Sequence, residues 1–322
     1  MTTQAVDAPA PTPQRPANGR RPASGLRRRR SGIERRQNVG WLFITPFLVI
    51  FAAFLVFPLV YAFGMSLFSS TLATGTKFVG VDNYVKAFTD PLFLGGMGRV
   101  LLYAIVMIPA QLIVAGVAAL LLDTLATWLS KVSRLLIFAP YAIPVVIGAL
   151  MWSFLYSPRF GPGSTIFEAF GLDAPNFLSK DNIFFSLVNV VTWQWSGYYM
   201  IVIYAALRAI DASIYEAARI DGANGLQIAT RIKIPMISSS MVMVITFALI
   251  GTLQFFTEPT VLRSVASGAL PADYTPNMYA FALAFSYSQF NYASTIAFSL
   301  GILVFLGSFG FLFLTRKQNG LK

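Results

Sequence analysis

The chemistry open to this chain is narrow. Its 322 residues include no histidine and no cysteine. That excludes disulfides, thiol nucleophiles, imidazole bases and most zinc or haem ligation. Carboxylates, hydroxyls and amines remain, but the 13 Asp and Glu residues are scattered. No phosphate-cradling GxxxxGK[ST] loop occurs. Three groups of residues are left, and all suit non-covalent work. One is the mixed-charge stretch EAARIDGANGLQIATRIKIP, Glu216 to Pro235. It places Glu216-Ala217-Ala218 first, Gly222 six residues after the Glu, and Ile232-x-Ile234-Pro235 beyond, with Arg219 and Asp221 between. A second group is Asn189, Trp193, Gln194, Trp195, Tyr198 and Tyr199. The third is Gln254, Phe255, Phe256 and Glu258. Aromatic faces stack on the C–H faces of sugars, while amides and hydroxyls hydrogen-bond them. Other roles exist for the same residues: Trp and Tyr anchor span ends at interfaces, Gln joins helices, and Glu258 fits a solvated loop.

The elements that must carry these groups are membrane spans. Hydrophobic residues make up 56% of the chain and charged ones 11%, with mean hydropathy +0.65. Soluble domains carry about 25% charged residues. Six apolar segments are long enough to cross about 30 Å of hydrocarbon. They lie at roughly 40–66, 99–122, 135–157, 184–207, 237–258 and 292–315, by the length rule for spanning helices. Charges are displaced to their ends, at Arg99, Asp123, Arg134, Arg208, Glu258 and Arg316. Pro46, Pro58, Pro109, Pro140 and Pro144 fall inside segments and should kink or break them. Pro140 and Pro144 suit a bent, cavity-lining helix.

Nine arginines lie in residues 1–38. With Pro, Ala, Ser and Gly between them, this reads as a disordered basic tail serving topology and anionic lipid rather than nucleic acid. It is too long for a signal n-region, so the first span is expected to remain as an anchor. Residues 39–316 form the expected membrane domain, and 317–322 a short tail. With both termini on one side, that side holds eighteen Lys or Arg against six opposite. The positive-inside rule makes it cytoplasmic, and the Glu216 loop with it. The outer segments 67–98, 158–183 and 259–291 are too small for a folded receptor domain.

The loop itself reads as an elbow. Ser213 to Ile220 is helix-prone, with Glu216 and Arg219 at i,i+3 spacing. Gly222 is a natural stop, since it takes positive φ at low cost. A second helical stretch is expected from about Leu226 to Ile234, with a change of direction at Pro235.

This spacing resembles the EAA loop of ABC-transporter permeases, the cytoplasmic segment through which the membrane subunit touches its ATPase. Ile234 stands where that family usually has Leu. The segment Phe78 to Tyr84, FVGVDNY, resembles one that follows the first helix of sugar-type permeases. The stretches at 43–68 and 290–305 are similar to permeases of the maltose and glycerol-phosphate type. The resemblance spans about residues 40–315 and implies an all-α integral membrane protein of the type I importer permease fold. It implies a first-permease-like subunit of a bacterial cell membrane, paired with a different second permease. Two ATPase subunits and an extracytoplasmic solute-binding protein complete such an importer. ATP and Mg belong to the partner ATPase, and no cofactor is expected on this chain. Glu216, Ala217, Ala218, Arg219, Asp221, Gly222, Ile232 and Pro235 take the coupling role. The solute would be a sugar or related polyol, with another small solute as the alternative. A lipid-linked transferase would need convergent carboxylates. A secondary transporter would need an internal repeat and charged intramembrane sites.

Overall fold

The computed structural model describes residues 31–71, 75–124, 128–158, 161–171, 173 and 175–315. Most of the expected basic tail and the segment 317–322 lie outside the described residues. The chain divides into two units, residues 1–57 and 58–322. In the first, helix α1 (Ser31–Phe51) begins inside the stretch expected to be tail, and a wide π turn (Ala52–Val56) follows. Its apolar side chains from Trp41 onward are exposed, as a lipid-facing surface requires.

The remainder is helical apart from one hairpin. Helix α2 (Phe57–Ser66) leads to strands β1 (Phe68–Thr71) and β2 (Gly75–Phe78), paired antiparallel with Phe68 opposite Phe78. Then come α3 (Asp82–Ala87), the long α4 (Pro91–Thr124), α5 (Trp128–Ala142), α6 (Val145–Leu155) and α7 (Pro162–Ala169). Helix α8 (Ile183–Arg208) precedes the elbow pieces α9 (Ala212–Ile220), α10 (Gly225–Ile228) and α11 (Ile234–Met236). The chain closes with α12 (Ser238–Leu253), α13 (Thr257–Arg263), α14 (Pro276–Phe281) and α15 (Phe290–Thr315). Among the described residues, two four-residue strands are thus the one departure from an all-α fold.

Four helical stretches are long and apolar enough to cross a membrane: Trp41–Ser66, Pro91–Thr124, Ser238–Arg263 and Phe290–Leu314. If each of two bent pairs is one span, the described residues hold up to six. One is α5 with α6, whose axes differ by 95°. The other is α8 with α9; the amides and aromatics of α8 lower its own hydropathy. The span expected at 99–122 is longer at its N-terminal end, and that at 237–258 runs on through α13.

The FVGVDNY segment pins the hairpin to the end of α2. Asn83 Nδ2 donates to the carbonyls of Ser66 and Phe68 at 3.0 and 2.9 Å. Tyr84 and Ser66 hydroxyls meet at 2.7 Å, and Gly80 turns the chain at φ +57°. Nearby, Asp90 accepts from the Tyr279 and Tyr292 hydroxyls, both at 2.8 Å. Partial burial pushes the Asp90 carboxyl up, but these donors outweigh it and hold the group below its ordinary range.

Helix α8 is the centre of the bundle, with α4 and α5 packed along it. Its seam with α5 is closed to the backbone at Gly197. A Cβ there would lie 2.2 Å from Ile137 O and 2.9 Å from Phe138 Cα. Replacing Gly197 by Val forces the two helices apart. It should cost about 3 kcal/mol or more, at the upper end of overpacking penalties. A thermal melt of the purified chain checks this; an unchanged midpoint would show that the seam is not tight.

Candidate functional site

The site is built where helices break. Helix α5 ends at Ala142, and α6 restarts after Pro144, which holds φ −55° and ψ 133°. Proline donates no backbone hydrogen bond, and the break frees carbonyls of the preceding turn. Gln194 on α8 satisfies two of them: its Nε2 donates to Pro140 O at 2.7 Å and Ile143 O at 2.8 Å. Gly148 of α6 makes room, since a Cβ there would sit 2.5 Å from Gln194 Oε1. Pro140 and Pro144 therefore bracket a bend, as their spacing suggested.

A second break separates α12 from α13. Gln254, Phe255 and Phe256 are unwound, and Glu258 lies in the first turn of α13. The two breaks face a cavity of about 440 Å³. Its wall includes Gln111 of α4, Tyr141 of α5, and Trp195, Tyr198 and Tyr199 of α8. Gln254, Phe255, Phe256 and Glu258 complete it. The rings are mutually braced: Tyr141 stacks on Tyr198 at 4.8 Å and meets Trp195 edge-on at 5.4 Å. Glu258 is only 7% exposed, so it is no solvated loop residue. No cation pairs with it among the described residues. Gln111 is 2% exposed, and its Oε1 has no hydrogen-bond partner among the described residues. A larger groove of about 930 Å³ runs along α14 and α15, but its lining is almost wholly apolar; Gln254 and Phe256 lie on both walls.

The α8 group thus divides. Trp195, Tyr198 and Tyr199 line the cavity. Gln194 holds the α5–α6 bend, Asn189 Nδ2 donates to Tyr156 Oη at 2.8 Å, and Trp193 packs edge-on against Trp152. Those three brace the wall instead of forming it. Gln111 and Tyr141 were missed in the sequence because each stands alone in an apolar segment.

The elbow has the expected outline. Asp211 caps α9 by accepting from Ser213 N–H at 2.9 Å, and that bond holds its carboxyl below the ordinary range. Helix α9 stops where Gly222 adopts φ +83°, with Ala223 N–H reaching back to Ala218 O. Asn224 and Gln227 form a reciprocal capping box that starts α10. Glu216, Ala217, Arg219, Asp221 and Gly222 are exposed, while Ala218 and Ile232 are half-buried. Between them the elbow shows two bare apolar tips, Ile220 at 86% and Leu226 at 74% exposure.

The break expected at Pro235 is absent. Ile234 is helical at φ −59° and ψ −48°, and the chain turns only at Ile237. A π turn over Ala229–Lys233 explains this, with Ile234 N–H bonded to Ala229 O. The wider ring moves the carbonyls that a proline would strike. The turn before Pro58 is built the same way, with Phe57 N–H bonded to Ala52 O.

Lys233 completes the elbow in a way the sequence did not announce. Its Nζ lies 2.5 Å from Asp123 Oδ2 at the end of α4, and both side chains are buried. The ammonium also lies 4.9 Å from the Tyr215 ring centroid on α9.

The chain belongs to a family described as the binding-protein-dependent transport system inner membrane component, which it matches over residues 115–319. It is a membrane transport subunit of the ABC class, not an enzyme. The lactose transport system permease protein of Rhizobium radiobacter is 27% identical over 294 residues, 90% of this chain and 98% of that protein. The osmoprotective compounds uptake permease protein of Synechocystis sp. is 30% identical over 270 residues, 82% of this chain and 94% of that protein. The fold is shared with a bacterial alginate ABC transporter solved with its alginate pentasaccharide-bound periplasmic protein. There the TM-score is 0.77 at 20% identity, covering 88% of this chain and 96% of that one.

Gln194 should prove architectural. Gln194→Leu strands Ile143 O, at a cost of about 1–3 kcal/mol for a buried acceptor without a donor, and leaves Pro140 O with only the Ile143 N–H at 3.2 Å. A clear fall in the melting midpoint of the purified chain is expected. A midpoint equal to the parent's would mean that the bend stands without this side chain.

Proposed function

We propose that this chain is the first-type permease of an ABC importer for a sugar or related polyol. The observation that carries the reading is the cavity at the two helix breaks. It combines stacked aromatic rings with the buried Glu258 carboxyl and with Gln111 Oε1, which has no hydrogen-bond partner among the described residues. A hydroxyl-rich solute supplies donors to both and C–H faces to the rings. The lactose permease it resembles supports a carbohydrate, and the osmoprotective-compounds permease leaves another small solute as the alternative. Among the described residues only one carboxyl group lines the cavity, which disfavours a transferase needing convergent acids.

The elbow would dock in a groove of an ATPase subunit on the cytoplasmic side, the side favoured by the charge count. Glu216 offers a charged contact, Ala217 and Ala218 allow close approach, and Ile220 and Leu226 offer apolar surface. Bare apolar tips on a charged loop are what a partner surface would cover. A second permease and a second ATPase would complete the membrane complex, and an external receptor would deliver the solute. Nucleotide binding in the ATPases would then shift the cavity between outward and inward access by moving rigid elements against each other.

Two measurements test this. Trp195→Ala, Tyr198→Ala and Glu258→Gln should each lower sugar uptake or change its preference at normal expression. Parental uptake in all three would remove the cavity from the path. Glu216→Lys reverses a contact charge, and Gly222→Val forces a β-branched side chain to φ +83°. Both should insert normally yet co-purify poorly with the ATPase or hydrolyse ATP without uptake. Full association with coupled uptake in both would show that the elbow is not the docking element.

A further inference from the structure

We propose that the buried Lys233–Asp123 ion pair links the coupling elbow to α4 and makes α4 the rod that moves the cavity wall. This rests on the coupling reading above, and it names the residues through which the motion passes. Lys233 acts here as a positioning residue, since it touches neither solute nor nucleotide.

The placement of the pair carries the argument. Lys233 sits in the second limb of the elbow, in the π turn that continues into α11. Tyr215, under its ammonium, sits in the first limb. Asp123 is the next-to-last residue of α4. One cation therefore ties both limbs of the elbow to a third element distant in sequence. The side chains of Lys233 and Asp123 are only 9% and 6% exposed, and the Tyr215 hydroxyl in the same cluster is buried with no hydrogen-bond partner among the described residues. In such surroundings an ion pair is held far more firmly than at a wet surface, because separating it strands two charges out of water. No other salt bridge occurs among the described residues.

Helix α4 then runs straight from that anchor to the cavity. Twelve residues separate Asp123 from Gln111, about 18 Å of helix at 1.5 Å per residue. Pro109 is the only proline inside α4, and it lies beyond Gln111, so no break interrupts this stretch. On the buried face between them stand Ala115, Ala119 and Leu122, in one cluster with Tyr199, Met200 and Ile203 of α8. The two alanines bring α4 close against α8, and the unbroken helix carries a shift at Asp123 to its Gln111 end. Displacement of the elbow is thus delivered to Gln111, and the exposure of Gln111 reports it.

The chain's lack of cysteine makes the test direct. Gln111→Cys serves as the reporter in the assembled transporter, and the probe is a maleimide. The labelling rate of this chain is measured with and without a non-hydrolysable ATP analogue. A several-fold nucleotide-dependent change is expected in the reporter background. Lys233→Met should still co-purify with the ATPase but lose that change. Lys233→Asp combined with Asp123→Lys restores a pair of opposite polarity and should recover it. A parental response in Lys233→Met overturns the proposal. So does a charge-swapped chain that inserts and binds the ATPase yet stays unresponsive; this arm decides the matter even if Lys233→Met fails to insert. Glu216→Lys separates the two readings. If it abolishes ATPase binding while Lys233→Met responds normally, docking stands and the rod falls. If it leaves binding and response intact, the docking reading falls first.

Discussion

A backbone carbonyl in hydrocarbon has no water to turn to, so every break in a spanning helix must be repaired by a neighbour. In this chain the repair is a single amide. Gln194 reaches from α8 to the two carbonyls that the Pro144 break leaves open, and Gly148 is glycine because the amide occupies the space. The 95° bend between α5 and α6 depends on that contact, and the cavity depends on the bend. Tyr141 reaches the aromatic group of α8 from the last turn of α5, just before the chain turns away.

The prolines show two further ways of meeting the same constraint. At Pro144 the helix stops and a side chain caps the loss. Before Pro58 and Pro235 the helix does not stop. It widens into a π turn, which lets the ladder pass the ring with the helix intact. The outcome at Pro235 matters for mechanism. A break there would disconnect the elbow from the approach to α12. Continuous helix from Gly225 to Met236 instead carries Lys233 at a fixed position relative to the rest of that limb.

Charge is used with similar economy. Lys and Arg gather where the cytoplasmic side is read to be, and the interiors of the apolar stretches hold almost none. The two exceptions with structural meaning are the buried Lys233–Asp123 pair and Glu258. The first is neutralised by its partner, and the second faces a cavity. Glu258 sits where a helix breaks, which is where a ligand can offset the cost of burying a carboxyl group.

The sequence by itself determined the class of molecule, the apolar segments that span and the outline of the elbow. Hydropathy over twenty-residue windows, proline positions and the EAA–Gly–IxIP spacing are local properties, and local properties survive without knowledge of packing. The stop at Gly222 was legible for that reason, since a positive φ after a short helix belongs to glycine. What lines the cavity was not legible. Along α8, residues one or two apart face different neighbours, so Trp193 and Gln194 brace while Trp195 and Tyr198 line, and composition cannot separate them. Gln111, Tyr141 and Asp123 gain their roles only from α4 and α5 packing on α8 and from Lys233 arriving 110 positions later. Only the tertiary structure brings such partners together, because the burial that makes an amide or an ion pair matter does not exist until the helices meet.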